Sequence, residues 1–485
     1  MSLPNILNRL ARPDYAVLPT TASASKHDQP SCCARLNFNF PRRYTRFAVA
    51  GLVGLLLYLF VFARKRSWPA FPTEAWPSPD GRPPLYKQYR EYEEHLPAHN
   101  PDLPYPNGKH AKFIFFANHQ NGVGWGNVLQ EMIYNAYFAY HVKRSFVFYN
   151  YTWDMDGPDY ADYNGHLIPS RIPLTALISG PMVGSKMGPN DADVPRAVSL
   201  DYFNLVCPQE QRHIINGGEV KQGLWNPTAK QLLNALVEKV HATDARCIEL
   251  PQGTEQVFDY ILFGSDKALD LWPLLRESPI FTQLGWSPLI RAAYKTNQRF
   301  FESAPSSLFA SLYAPISKHF PKMFASAGPL LPPYDPLDGL LVIHIRRGDF
   351  DKHCWHFINY SSGYNGYNSF SDLPDRFVPP PGGGTPENAD IYLRHCFPNV
   401  TQIAERVRDV RRRVEGLRKV YVMTNGKGEW LAELRAALVG GTGGEWDMVT
   451  TSRDLTLSWE QKPVSQTLDM YVAQRAKAFI GNGDG

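Results

Sequence analysis

The hexapeptide His344-Ile345-Arg346-Arg347-Gly348-Asp349 is the part of this sequence best equipped for chemistry. It closes the run 340–345 (LLVIHI), whose unbroken apolar character predicts a buried strand. Two adjacent guanidiniums at a strand end are costly to place unless a partner offsets their charge. A diphosphate does so through charge-assisted, often bidentate, hydrogen bonds. Gly348 allows the backbone to turn close to such a ligand. The competing reading is a structural arginine–carboxylate pair at a domain seam.

A second candidate is the turn Gly122-Val123-Gly124-Trp125-Gly126-Asn127, which enters a helix. Free amides at a helix N-terminus attract phosphate or carboxylate. The spacing G-x-G-x-G is not the dinucleotide fingerprint G-x-G-x-x-G, and a glycine-rich connector without a ligand is an equal alternative. Asp154-Met155-Asp156 invites a divalent ion held between carboxylates and a diphosphate. The same D-x-D pattern recurs at Asp191/Asp193 and Asp349/Asp351, so it is unspecific. The residues after Asp154 also lack Ca²⁺-loop spacing, with Pro158 and Gly165 at ligand positions. His353 and His356 form no convincing ligand set with Cys354. No metal site is expected.

These motifs need elements to hold them. Residues 112–117 read as a strand, 118–126 as the turn, 127–142 as a helix and 145–149 as a second strand. The helix rests on Val128, Leu129, Met132, Ile133, Ala136, Tyr137 and Tyr140, which recur at helical spacing. The grammar returns with strands at 340–345 and 419–424, a helix at 429–439, a strand at 447–450, a helix at 464–477 and a strand at 478–481. Such alternation implies an α/β protein with parallel sheets. Two Rossmann-like domains, 107–335 and 336–485, are expected to meet at a Pro-rich linker near 332–338 and to face a cleft.

With 485 residues, 44% of them hydrophobic and 20% charged, the chain accommodates two domains and an anchor. A net charge of +4 gives no reason to expect nucleic-acid binding. Residues 47–63 carry no charge, would span about 26 Å as a helix, and are flanked by Arg42, Arg43, Arg46 and Arg64, Lys65, Arg66. They predict a single transmembrane helix between a disordered cytosolic tail, 1–46, and a Pro-rich stem, 64–106. Beyond it lie Cys207, Cys247, Cys354 and Cys396, enough for two disulfides in any of three connectivities, or for buried free thiols. Sequons begin at Asn150, Asn359 and Asn399. Both features point to a lumenal C-terminal part.

The triplet His344-Ile345-Arg346, the turn ending Trp125-Gly126-Asn127, and Asp469-x-Tyr471 followed by Lys477-x-Phe479-Ile480-Gly481-Asn482 together resemble the GDP-fucose O-fucosyltransferase superfamily. The resemblance covers about residues 110–485, with dense matching only in these stretches. It implies a GT-B-like fold and a metal-independent, inverting transferase that takes GDP-fucose as donor and needs no other cofactor. Gly124, Trp125, Gly126 and Asn127 would line the donor pocket, with Asn127 near the diphosphate and the sugar. His344, Ile345 and Arg346 would hold the donor, Arg346 on its β-phosphate. Asp469 would be the acidic residue on the nucleotide side, and Thr424 and Asn425 would lie at a strand end beside it. Arg346, Asn127 and Asp349 are the expected catalytic residues. Asp349 is the first candidate for general base and Glu131 the second, since Val123 stands where some relatives place a glutamate.

The resemblance also implies a further Ser-containing segment and a closing helix after Asn482, so a C-terminal domain stopping at Gly485 is expected to be incomplete. The partners implied are a nucleotide sugar, a glycan or glycoprotein acceptor and the Golgi or ER membrane. The alternatives are a non-catalytic lumenal binding protein on the same fold and a Mn²⁺-dependent transferase using Asp154 and Asp156.

Overall fold

Phe113–Phe116 (β1) and Ser145–Phe148 (β2) are buried along their whole length, as apolar strands covered on both faces must be. Three further strands complete their sheet: Val198–Ser199 (β3), Arg212–Ile214 (β4) and Cys247–Leu250 (β5). The order is β3-β2-β1-β5-β4, and every pairing is parallel. The chain steps one way from β1 through β2 to β3 and then returns to the other side of β1. The reversal lies between β1 and β5, where open parallel sheets offer a crevice at their C-terminal ends.

A second sheet comprises Leu337–Ile345 (β6), Lys419–Thr424 (β7), Met448–Thr451 (β8) and Ala476–Gly481 (β9). Its order is β8-β7-β6-β9, again all parallel, and here the reversal lies between β6 and β9. The strands expected from the sequence are present within a few residues of their expected ends. β6 starts earlier, at Leu337, through an irregularity in its register with β9.

The computed structural model describes residues 81–302, 334–348, 350–441 and 446–483. These belong to one unit of the chain; the other, Arg12–Thr73 with Phe320–Gly328, lies outside them. The expected tail, the anchor at 47–63 and Asp349 also fall outside the described residues. Among the described residues, no helix is long and apolar enough to cross a membrane. The expected stem is corrected in its second half. Tyr86 is fully buried with its hydroxyl donating to the Glu460 carbonyl at 2.8 Å, and Glu93 accepts from Thr175 N and Oγ1, both at 2.9 Å. Residues near Lys87–Glu94 are therefore part of the folded unit rather than a free spacer.

Trp125–His141 (α1) follows the glycine-rich turn, and Ala229–His241 (α2) opens with a reciprocal capping box between Thr228 and Gln231. Pro288–Phe301 (α3) lies against the second sheet, where Asn297 and Thr456 exchange two hydrogen bonds of 2.8 Å. Phe350–Tyr360 (α4) and Ala389–Cys396 (α5) are joined by a disulfide between Cys354 and Cys396. Cys207 and Cys247 form the other disulfide, at the start of β5. Val400–Arg413 (α6), Gly428–Gly441 (α7) and Ser465–Arg475 (α8) complete the second half. Its core is built from Leu341, Ile343 and Ile345 of β6, Val420 and Val422 of β7, Val407 of α6 and Leu438 of α7.

Candidate active site

The two arginines at the end of β6 separate. Arg347 turns inward, with its guanidinium 4.2 Å from the Phe397 ring centre and 4.5 Å from that of Trp430, and it donates from Nη2 to the Pro398 carbonyl. Burial pulls its pKa down to about 10, and Nε has no partner among the described residues. Such a cation–π sandwich is how this chain accommodates one of the two charges. Arg346 is half-buried, packs over Phe350 at 4.8 Å, and makes no hydrogen bond or ion pair among the described residues. One guanidinium is thus spent on structure, while the other keeps its donors unspent among the described residues. Gly348 has φ 72, a backbone that favours glycine and lets the chain reverse immediately after them.

Asn425 holds this turn. Its Oδ1 accepts from Arg347 N at 2.6 Å, and its Nδ2 donates to Arg347 O at 2.9 Å. Asn425, expected at the donor, positions the residue beside Arg346. Thr424 Oγ1 accepts from Gly426 N at 3.0 Å, and Thr424 N donates to Ser452 Oγ at 3.0 Å. Ile345 is 2% exposed and belongs to the core rather than to a ligand surface. His344 is half-buried near the end of β6, and its carbonyl accepts from Asn482 N at 3.2 Å.

Asp469, in α8, accepts from Tyr421 Oη at 2.5 Å. Desolvation raises its pKa to about 7, while the Tyr421 hydrogen bond and the Arg453 charge hold it down. Arg453 is exposed just after β8 and donates to the Asn425 carbonyl at 3.1 Å. Sequence reasoning missed it, although it follows its strand as Arg346 follows β6. Arg346, Arg453 and Asp469 therefore cluster around the C-terminal end of the second sheet, which suits a nucleoside diphosphate.

On the first sheet, Gly124 and Asn127 are exposed at the start of α1. A Cβ at Gly126 would lie 3.6 Å from Met470 Cε, so the turn approaches α8 next to Asp469. Trp125 does not share this surface. It is 2% exposed and packs edge-on to Tyr151 at 5.4 Å. Glu131, the second candidate base, is 2% exposed and accepts from Gln120 N at 2.7 Å. Desolvation raises its pKa to about 8. The structure makes it an anchor of the turn.

Three of the other D-x-D carboxylates have local tasks. Asp154 Oδ1 accepts from Gly157 N at 2.9 Å, Asp191 accepts from Tyr140 Oη at 2.8 Å, and Asp193 pairs with Lys143. Among the described residues, no group of three or more His, Cys, Asp or Glu side chains is arranged to hold a metal ion.

The sequence matches no known family model and no curated protein. Among solved structures it is similar to a crystal structure of POFUT1 in complex with GDP-fucose. The TM-score is 0.41 with 14% identity, covering 77% of this chain and 91% of that one. A likeness of that degree decides nothing about chemistry.

Proposed function

We propose that this protein is a fucosyltransferase-like glycosyltransferase that moves fucose from GDP-fucose to an acceptor hydroxyl, with inversion and without a divalent ion. The observation that carries the reading is the division of labour between Arg346 and Arg347. Arg347 is buried between two rings and donates to a carbonyl, while Arg346 stands at a sheet's reversal point with no carboxylate partner among the described residues.

The chemistry follows from that charge. Breaking the bond between the anomeric carbon and the β-phosphate oxygen leaves negative charge on the departing GDP. Arg346 stabilises this growing charge, helped by Arg453, and so takes the part that a metal ion plays in other transferases. The acceptor oxygen forms the new bond from the opposite face and gives its proton to a base, for which Asp349 is the candidate. Asp469, largely desolvated and bonded to Tyr421, faces the nucleotide.

The same reading places the catalytic part in an oxidising lumen of the Golgi or ER, held by a membrane helix at 47–63. It is supported by both disulfides and by exposed Asn359, which opens a sequon. The test is turnover of GDP-fucose by the full-length protein in EDTA. Release of GDP that depends on Arg346 is expected, and release only on adding Mn²⁺ would overturn the metal-free reading.

A further inference from the structure

A cleft of about 680 Å³ opens over the reversal point of the first sheet, between the turn after β1 and the loop after β5. Gln120, Asn121, Asn127, Gln252 and Gln256 line it, and none of their side-chain amides makes a hydrogen bond among the described residues. Asn118, by contrast, is spent on Thr254 Oγ1 and the Glu255 carbonyl at 3.3 and 2.7 Å. At the rim Tyr260 is 74% exposed, an aromatic face offered to solvent beside a polar cleft.

The cleft offers no unpaired cation among the described residues. Among the described residues no arginine lines it, and the one lysine that does, Lys221, is paired with Asp259 and lies 3.9 Å from Glu255. His119 stacks on Tyr149 with ring centres 3.6 Å apart, and burial pulls its pKa down to about 4, so it is neutral at physiological pH. Nothing here would offset a phosphate or an acidic ligand. Primary amides, each both donor and acceptor, match vicinal hydroxyls, which are also both. An exposed ring supplies an apolar platform for the C–H face of a pyranose.

We propose that this cleft binds a neutral oligosaccharide, and that the hydroxyl to be glycosylated is carried by that glycan rather than by a peptide. This deepens the transferase reading and rests on it for the word acceptor. The close approach of Gly126 to Met470, where an added Cβ would meet the methionine at 3.6 Å, brings the turn that lines the cleft up to α8, which bears Asp469.

The test applies full-length protein to a glycan array of neutral, uronate-bearing and sulfated oligosaccharides, with Ser/Thr peptides beside them. Retention confined to neutral glycans is expected. Affinity should fall at least tenfold in Tyr260→Ala and in the Gln252→Ala/Gln256→Ala double variant, with melting temperatures unchanged. Preference for acidic glycans or peptides, no glycan binding at all, or neutral binding indifferent to both variants would overturn the proposal. Calorimetry with GDP-fucose separates the two readings. Donor binding without glycan binding sinks only this inference, and glycan binding without donor binding sinks the transferase.

Discussion

The Asn425 amide closes on the backbone of Arg347 from both sides, accepting its N–H at 2.6 Å and donating to its carbonyl at 2.9 Å. This fastens the end of β6 to the end of β7 and fixes the direction in which Arg346 leaves the sheet. A ligand-binding guanidinium gains from such preorganisation, because the ordering cost is met during folding.

The two arginines should therefore fail differently. Arg346→Ala is expected to lower kcat on the order of a hundredfold or more while leaving stability unchanged. Arg347→Ala is expected to lower stability by about 2–4 kcal/mol, through loss of its ring contacts and buried hydrogen bond. Steady-state kinetics and urea denaturation of the two variants check this.

Asn425→Ala removes both bonds to Arg347 and should cost about 1–3 kcal/mol. It should also weaken GDP-fucose binding, with little effect on the glycan affinity of the first-sheet cleft. Asn425→Asp keeps an acceptor but not the donor, so an intermediate effect is expected in calorimetry.

Glu131 gives a pH signature. Desolvation raises its folded pKa to about 8, from an ordinary value of 4.5, so folding disfavours its ionised form. Its share of stability is full below pH 4.5 and is lost as pH rises through 8. Denaturation at pH 5 and pH 8.5 should show a smaller fall in stability for Glu131→Gln than for the parent. Glu93 and Asp469, both raised to about 7 by burial, contribute in the same direction.

Peptide mapping without reduction should recover Cys207 with Cys247 and Cys354 with Cys396. Removing the second bridge by Cys354→Ser/Cys396→Ser should lower stability by about 2–4 kcal/mol. That bridge ties α4, which starts just after Gly348, to α5, so a weaker donor affinity should accompany the loss.

Much of this was legible in the sequence because the decisive strands are short, apolar and bounded by glycine or charge. β7 matches its expected bounds, and β6 ends where the arginines begin. What stayed hidden depends on pairing across the chain. The weak strand 212–214 is exposed along much of its length and exists through its partner, β5. The hairpin Tyr160–Tyr163 with His166–Pro169 is signalled by Asn164-Gly165, both at positive φ, yet its strands are largely exposed and lack the apolar run of a buried strand. In the candidate site, residue type singled out the pair Arg346 and Arg347 but could not say which of them the core would absorb. Trp125 and Ile345 sat inside the motifs and proved to be packing residues, because a turn or strand end must also be anchored.

Calorimetric titration of GDP-fucose into the full-length protein in EDTA, beside Arg346→Ala, tests the central claim most directly. Metal-free binding by the parent, weakened at least a hundredfold in the variant, is the predicted result. Equal affinity in both proteins, or binding that appears only with a divalent ion, would contradict it.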